Sequence, residues 1–198
     1  MKSNILSSLL VLMVLVTSAG TTSAQTTDAK SWSTAGTTGT ADKVDLNKIV
    51  YANGVVSFPE ITGTQLTSKR LQALPLQTVQ AVVRYNVTAA DGLFFPSGRH
   101  CMVARFRDDG DRARVFLRLV QLNLENGNTT TLLTFDSNSF SPQANFQGNS
   151  VSTDRVAFDF SHNAYYVEAT LTKQQPLNSI GGGKPALAVV LLTRCIQF

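Results

Sequence analysis

In the stretch Met102-Val103-Ala104-Arg105-Phe106-Arg107-Asp108-Asp109-Gly110-Asp111-Arg112-Ala113-Arg114-Val115-Phe116-Leu117, side-chain character alternates on both sides of a turn pair. Met102, Ala104 and Phe106 alternate with Val103, Arg105 and Arg107, and after the turn Ala113, Val115 and Leu117 alternate with Arg112, Arg114 and Phe116. A period of two belongs to strands with one buried face, and Asp-Gly is a favoured two-residue hairpin turn. A hairpin centred on Asp109-Gly110 sets Asp108 opposite Asp111, Arg107 opposite Arg112, Phe106 opposite Ala113 and Arg105 opposite Arg114. It continues with Ala104 opposite Val115, Val103 opposite Phe116 and Met102 opposite Leu117. A slip of one residue would turn arginines into the core, so the pattern selects this register.

The opposite face of that hairpin carries Arg105, Arg107, Arg112 and Arg114, with Arg118 further on. Arginines facing each other across strands cost stability unless negative charge sits among them. Carboxylates at the outward positions Glu168 and Asp159, together with Asp108 and Asp111, are one source, while the arginine stems pack over Val103 and Phe116. An anionic partner is the other, because guanidinium forks receive carboxylate, sulfate or phosphate groups in bidentate fashion. Arg105, Arg107, Arg112, Arg114 and Arg118 are therefore the anion-binding candidates. The partner class they imply is an acidic polysaccharide or other cell-surface component, a phosphate-bearing surface or extracellular nucleic acid.

The same period recurs outward along the chain. Val79, Ala81, Val83, Tyr85 and Val87 share one face of a strand over 78–88, and Tyr165, Val167, Ala169 and Leu171 share one face over 164–173. Residues 155–160 read as a partner strand with Val156, Phe158 and Phe160 inward, and Ala186 to Ile196 as a central strand covered on both faces. Asn53-Gly54 and Asn126-Gly127 mark two more hairpins. The apolar phase flips near Leu119, which predicts a β-bulge there. Pro75 argues against a central strand over 61–77. Gly181-Gly182-Gly183 lacks the lysine and hydroxyl of a phosphate loop and reads as a flexible loop. No stretch of the mature chain carries a helical period. The fold class is all-β, an antiparallel β-sandwich of about eight to ten strands in a jelly-roll or Ig-like meander.

The chain opens with Lys2, an apolar run Ile5 to Val16 and Thr22-Ser23-Ala24, the layout of a secretory signal peptide over 1–24. The run is far shorter than the roughly 20 residues of a membrane span, so the mature chain is expected to carry none. Residues 25–43, rich in Thr, Ser, Ala and Gly, have little apolar surface to offset ordering and are expected to be a disordered spacer, with Trp32 docking loosely; a single domain then runs over 44–198. Losing the leader takes the 17 basic residues to 16 against 13 acidic ones, a modest net charge of +3 that does not by itself imply nucleic acid. Export to an oxidising compartment, secreted or periplasmic, makes a bridge between Cys101 and Cys195 the expectation, so their strands should be neighbours.

No catalytic constellation is visible. There is no Gly-x-Ser-x-Gly elbow and no His-rich metal motif, and His100 and His162 sit in or beside predicted turns as solvated loop residues. Asp108-Asp109-Gly110-Asp111 lacks the spacing of a calcium loop and reads as solvated turn residues. Asn86-Val87-Thr88 and Asn128-Thr129-Thr130 are glycosylation sequons, the first inside a strand. No metal or cofactor is expected. The leader, the alternating strands and the terminal Phe198 resemble bacterial outer-membrane β-barrels, but Arg194 falls in phase with Ile196 and Phe198 on what would be the lipid face. The leading expectation is a non-catalytic binding or surface-associated module. An extracellular hydrolase acting on a polymer is the alternative, and the barrel is third.

Overall fold

The computed structural model describes residues 31–59, 76–88, 99–154, 156–176 and 182–195, so the signal peptide expected over 1–24 lies outside the described residues. These residues form eleven strands: β1 (Trp32–Ala35), β2 (Thr40–Ala41), β3 (Val50–Ala52), β4 (Val55–Ser57), β5 (Leu76–Val87), β6 (His100–Asp108), β7 (Ala113–Asn123), β8 (Thr129–Asp136), β9 (Gln143–Thr153), β10 (Asn163–Pro176) and β11 (Ala186–Arg194). One sheet runs β3-β4-β11-β6-β9, with β1 also paired to β11, and the other runs β2-β5-β10-β7-β8. Every pairing is antiparallel. Two open sheets with separate edges make a β-sandwich, and the barrel reading is overturned.

The inward positions of the opening stretch are as its alternation predicts: Met102, Ala104, Phe106, Ala113, Val115 and Leu117 are all buried. The hairpin is not. β6 pairs with β11 and β9, whereas β7 pairs with β10 and β8, so Asp109 to Arg112 arch from one sheet to the other. Alternation fixes which side of a strand is apolar, and two strands facing each other across a core show the same alternation as two strands side by side. The arch also removes the arginine pairs: Arg105 and Arg107 go to the outer face of one sheet, Arg114 and Arg118 to that of the other. A hairpin would have set like charges opposite each other.

Aromatic rings from both sheets meet above this arch. Phe106 of β6 stands edge-on to Phe135 of β8 at 5.2 Å between centroids, and Phe140 stacks on Phe135 at the same separation. At the arch itself the Asp108 carboxylate is buried rather than solvated, accepting from Ser137 Oγ and from the Gly110 amide.

Two hairpins form where their turn pairs place them. Asn53 at φ 48° and Gly54 at φ 80° close β3 on β4, the positive angles that this two-residue turn requires. Gly127 at φ 73° closes β7 on β8 in a longer loop, in which Asn123 Oδ1 accepts from the amides of Glu125 and Asn126. The bulge lies in the partner strand: Leu119 pairs with Leu133 and Val120 with Thr131, so Leu132 is the extra residue while β7 stays in register with β10. Residues 156–159 are not a strand; Phe158 and Phe160 instead lean on Tyr165, at 4.8 and 4.9 Å between centroids.

The expected spacer is ordered from Trp32 onward. β1 joins the first sheet, β2 joins the second, and the 3-10 turn Gly36–Thr38 carries the chain between them. Trp32 is buried, and Tyr85 Oη donates to the Gly36 carbonyl at 3.0 Å. A Cβ on Gly36 would lie 2.1 Å from the Leu187 carbonyl oxygen, so glycine is what allows this close backbone approach. Composition misleads here because the segment is held by backbone pairing and by Trp32, without an apolar face of its own. The Gly-rich loop is similar where described: Gly183 donates to the Gln174 carbonyl at 3.2 Å, and its Cα lies against the Arg112 backbone. Cys101 and Cys195 are bridged, with 5.2 Å between Cα atoms, and β6 and β11 are neighbours as expected.

Candidate functional site

The outer face of the second sheet is a closed charge network. Register places Arg84, Glu168 and Arg118 in one row across β5, β10 and β7. Arg84 Nη2 lies 2.9 Å from Glu168 Oε2, Arg118 Nη2 pairs with Glu168 Oε1, and the other end of Arg84 pairs with Asp42. Arg114 grips Asp136 with two bonds, Nε to Oδ1 at 3.0 Å and Nη2 to Oδ2 at 2.6 Å, while its guanidinium covers the Phe116 ring. Burial pushes the Glu168 carboxyl up, but the hydrogen bonds and charges of Arg118 and then Arg84 outweigh it and hold it below its ordinary value. Asp136 is likewise lowered, burial being overcome by Arg114 and the Asn138 amide.

Two of the five candidate arginines, Arg114 and Arg118, are therefore neutralised within the protein. Glu168 does what its outward position suggested. Asp159 does not: its carboxylate pairs with His162 Nδ1 at 2.8 Å, away from the arginines. Sequence reading missed Arg84, Asp42 and Asp136 as members of the network. Arg84 and Glu168 both fall on outward phases of their strands, but only the register of β5 against β10 brings them together.

This network has a testable cost. Glu168→Gln is expected to destabilise the fold by about 1–2 kcal/mol, less than for a fully buried pair because the arginines can reach water. Sign follows from the lowered carboxyls: the unfolded chain takes up protons near the ordinary glutamate value of 4.5 while the folded one does not. Stability is therefore full above that value and is lost as pH falls through the lower folded-state values of Glu168 and Asp136. Chemical denaturation at a series of pH values checks both, and Glu168→Gln should flatten the acid slope.

The first sheet presents a different outer face. Ser33, Leu191, Val103 and Ser150 form one row, and Ala35, Val189, Arg105 and Gly148 the next. These are small or apolar side chains, and a Cβ at Gly148 would meet nothing within 4 Å. Arg105 is exposed above them, and among the described residues no carboxylate pairs with Arg105 or Arg107. Arg107 is positioned by Nε donating to the Lys184 carbonyl at 3.0 Å and by the Phe146 ring, 5.8 Å from its guanidinium carbon. Arg112 is exposed on the arch between the sheets. The five arginines thus divide by location: two on the first sheet's outer face without a carboxylate partner among the described residues, one on the arch and two paired with internal carboxylates.

The histidines also divide. His162 is exposed in a turn as expected, whereas His100 is buried at the start of β6, edge-on to Phe158 at 5.5 Å. The loop assignment of His100 fails because β6 begins two residues before the apolar alternation does. Asn86 is exposed on the outer face of β5, and Asn128 lies in the exposed β7–β8 loop.

No family model matches the chain, and no curated protein does. Among solved structures it is similar to a CBM61 module in complex with β-1,4-galactotriose, at 8% identity and TM-score 0.33, covering 84% of this chain and 90% of that one. It is similar to the xylan-binding module CBM15 at 10% identity and TM-score 0.34, covering 73% and 98%. A third likeness is to Eiger TNF from S. frugiperda, at 14% identity and TM-score 0.28, covering 63% and 95%. At this level of likeness no ligand and no residue role passes to the present chain.

Proposed function

We propose that this chain is an exported, non-catalytic binding module that contacts an anionic partner through the outer face of its first sheet, with Arg105 and Arg107 as the principal contacts and Arg112 flanking them. One contrast carries the reading: the arginines Arg84, Arg114 and Arg118 on one sheet face are balanced by Glu168, Asp136 and Asp42, whereas Arg105 and Arg107 on the other have no carboxylate partner among the described residues. A guanidinium with no carboxylate partner on a face of small and apolar side chains can offer its fork to carboxylate or sulfate groups without first breaking an internal pair. An acidic polysaccharide or other cell-surface component suits such a face, since it needs no deep pocket. The leader-like N-terminus and the Cys101–Cys195 bridge support an extracytoplasmic setting, secreted or periplasmic.

Retention on a sulfated-polysaccharide resin tests this. The wild-type chain is expected to elute with rising salt, and Arg105→Ala with Arg107→Ala to lose about tenfold or more in affinity, as two charge-assisted contacts are removed. Arg114→Ala with Arg118→Ala should leave retention nearly unchanged. Retention that is indifferent to salt, or equal loss in both double variants, would overturn the reading.

A further inference from the structure

At the arch, where the chain leaves β6 in one sheet and enters β7 in the other, a cavity of about 290 Å³ is lined by Asp108, Gly110, Asp111, Asn138, Phe140 and Pro142. Among the described residues no basic side chain lines it. Its polar wall is built into the fold. Asp108 is only 3% exposed, and its carboxylate accepts from the Gly110 amide at 3.1 Å and from Ser137 Oγ. Ser137 Oγ in turn accepts from the Val115 amide at 2.8 Å, which leaves its proton for Asp108. A carboxylate has about four acceptor positions, so this buried group keeps unused acceptor capacity at the cavity. Asn138 is set by its amide, which donates to the Asp136 carboxylate that Arg114 grips. The apolar wall is equally fixed: Phe140 stacks on Phe135 at 5.2 Å and leans on Phe106 at 6.3 Å. A Cβ at Gly110 would come no closer than 4.0 Å to Pro142, so no side chain fills the space between them.

We propose that this cavity binds a neutral saccharide ring, its hydroxyls donating to Asp108, Asp111 and Asn138 and its C–H face lying against Phe140 and Pro142. The lining selects among ligand classes. Two carboxylates with no basic side chain beside them in the lining repel the anions suited to Arg105 and Arg107, so the site is separate from the arginine face. Ionised carboxylates accept and cannot donate, so the ligand must be rich in donors. Hydroxyl groups meet that need, and their bonds to a charged oxygen are short and strong. A phenyl ring and a proline along one side call for an apolar surface on the same ligand, which a pyranose has in its C–H face. A bare metal ion uses neither the ring nor the volume, and among the described residues no group of three acidic, histidine or cysteine side chains is placed to hold one. A simple ammonium carries all its donors on one atom, whereas the acceptors here come from three residues around a cavity. At about 290 Å³ that cavity is at the small end of ligand sites, the size of one ring rather than of a polymer.

Titration calorimetry and ligand-observed NMR on the wild-type chain with glucose, galactose, mannose and xylose are the test, with calcium chloride and ethylammonium as competing probes. At least one sugar is expected to bind with a Kd of about 1 mM, the scale for a ligand of about a dozen heavy atoms. Asp111→Ala with Asn138→Ala changes two exposed side chains and is expected to weaken that binding about tenfold or more while the melting temperature stays unchanged. Arg105→Ala with Arg107→Ala should leave the sugar bound, so failure of this site and failure of the arginine face are told apart. No binding by any of the four sugars up to about 50 mM overturns the inference. So does a sugar that binds the Asp111 and Asn138 double variant as well as the wild type, and so does a response to calcium or ethylammonium alone.

Discussion

Replacing Cys101 and Cys195 together by alanine is expected to lower the free energy of unfolding by about 4–5 kcal/mol, the largest effect of any change considered. The bridge closes a loop of 94 residues, and in the chain-entropy treatment a loop of that length constrains the unfolded chain by about 4.7 kcal/mol. Against a total stability of roughly 5–15 kcal/mol for a domain, such a loss brings the fold near its limit. The effect should act through the unfolded state, because β6 and β11 already pair in register, with Thr193 opposite Cys101. The folded variant should accordingly keep its far-UV and near-UV circular dichroism while its denaturation midpoint falls sharply. Urea titrations of wild-type, reduced and double-alanine protein measure this. A change under about 1 kcal/mol would mean that the bridge constrains little of the unfolded ensemble.

That bridge was legible in the sequence because its argument was chemical: two cysteines behind a leader-like N-terminus that implies an oxidising destination. Burial was legible too, since a period of two assigns each side chain to the core or to solvent, and the inward sets of β5, β6, β7 and β10 are buried except for Val79, half-buried near the start of β5. Pairing was not legible to the same degree. Asn53-Gly54 and Asn126-Gly127 close hairpins, but Asp109-Gly110, with as good a turn signal, carries the chain to the other sheet. What separates them is non-local. β6 and β7 each find better neighbours elsewhere, β7 beside β10, where Glu168 meets Arg118, and no window of sequence around Asp109 contains that information.

The candidate site suffered from the same limit. Its arginines were identified as surface residues correctly, yet which of them remain open depends on carboxylates as distant in sequence as Glu168 is from Arg84. Arg105 and Arg107 differ from Arg114 and Arg118 only in the sheet they join. Order in residues 32–41 was hidden for a related reason: the segment's ties are backbone bonds to β11 and β5, and a Thr/Gly-rich composition shows no trace of bonds that any residue can make.

Phe106→Ala should be the second most damaging change, at about 3–5 kcal/mol, the cost of deleting a fully buried aromatic side chain and leaving a cavity. Its partner Phe135 sits on the other sheet, 5.2 Å away and nearly perpendicular, and is also fully buried, so Phe135→Ala should cost a similar amount. Removing both rings costs less than the sum of the two single losses. Phe106 and Phe135 make a direct edge-to-face contact and share one potential cavity, so the double variant is expected to fall short of additivity by about 0.5–1.5 kcal/mol. A single-sheet meander through β6, β7 and β8 makes a different prediction. Phe106 would lie opposite Ala113, Phe135 lies opposite Leu117, and two strand spacings with four residues of offset would separate the rings by about 16 Å. Residues that far apart add independently, within about 0.5 kcal/mol. Denaturant unfolding of the two single variants and the double variant therefore reads the architecture directly: a coupling inside that margin would return Asp109-Gly110 to a hairpin, and a larger one requires the arch.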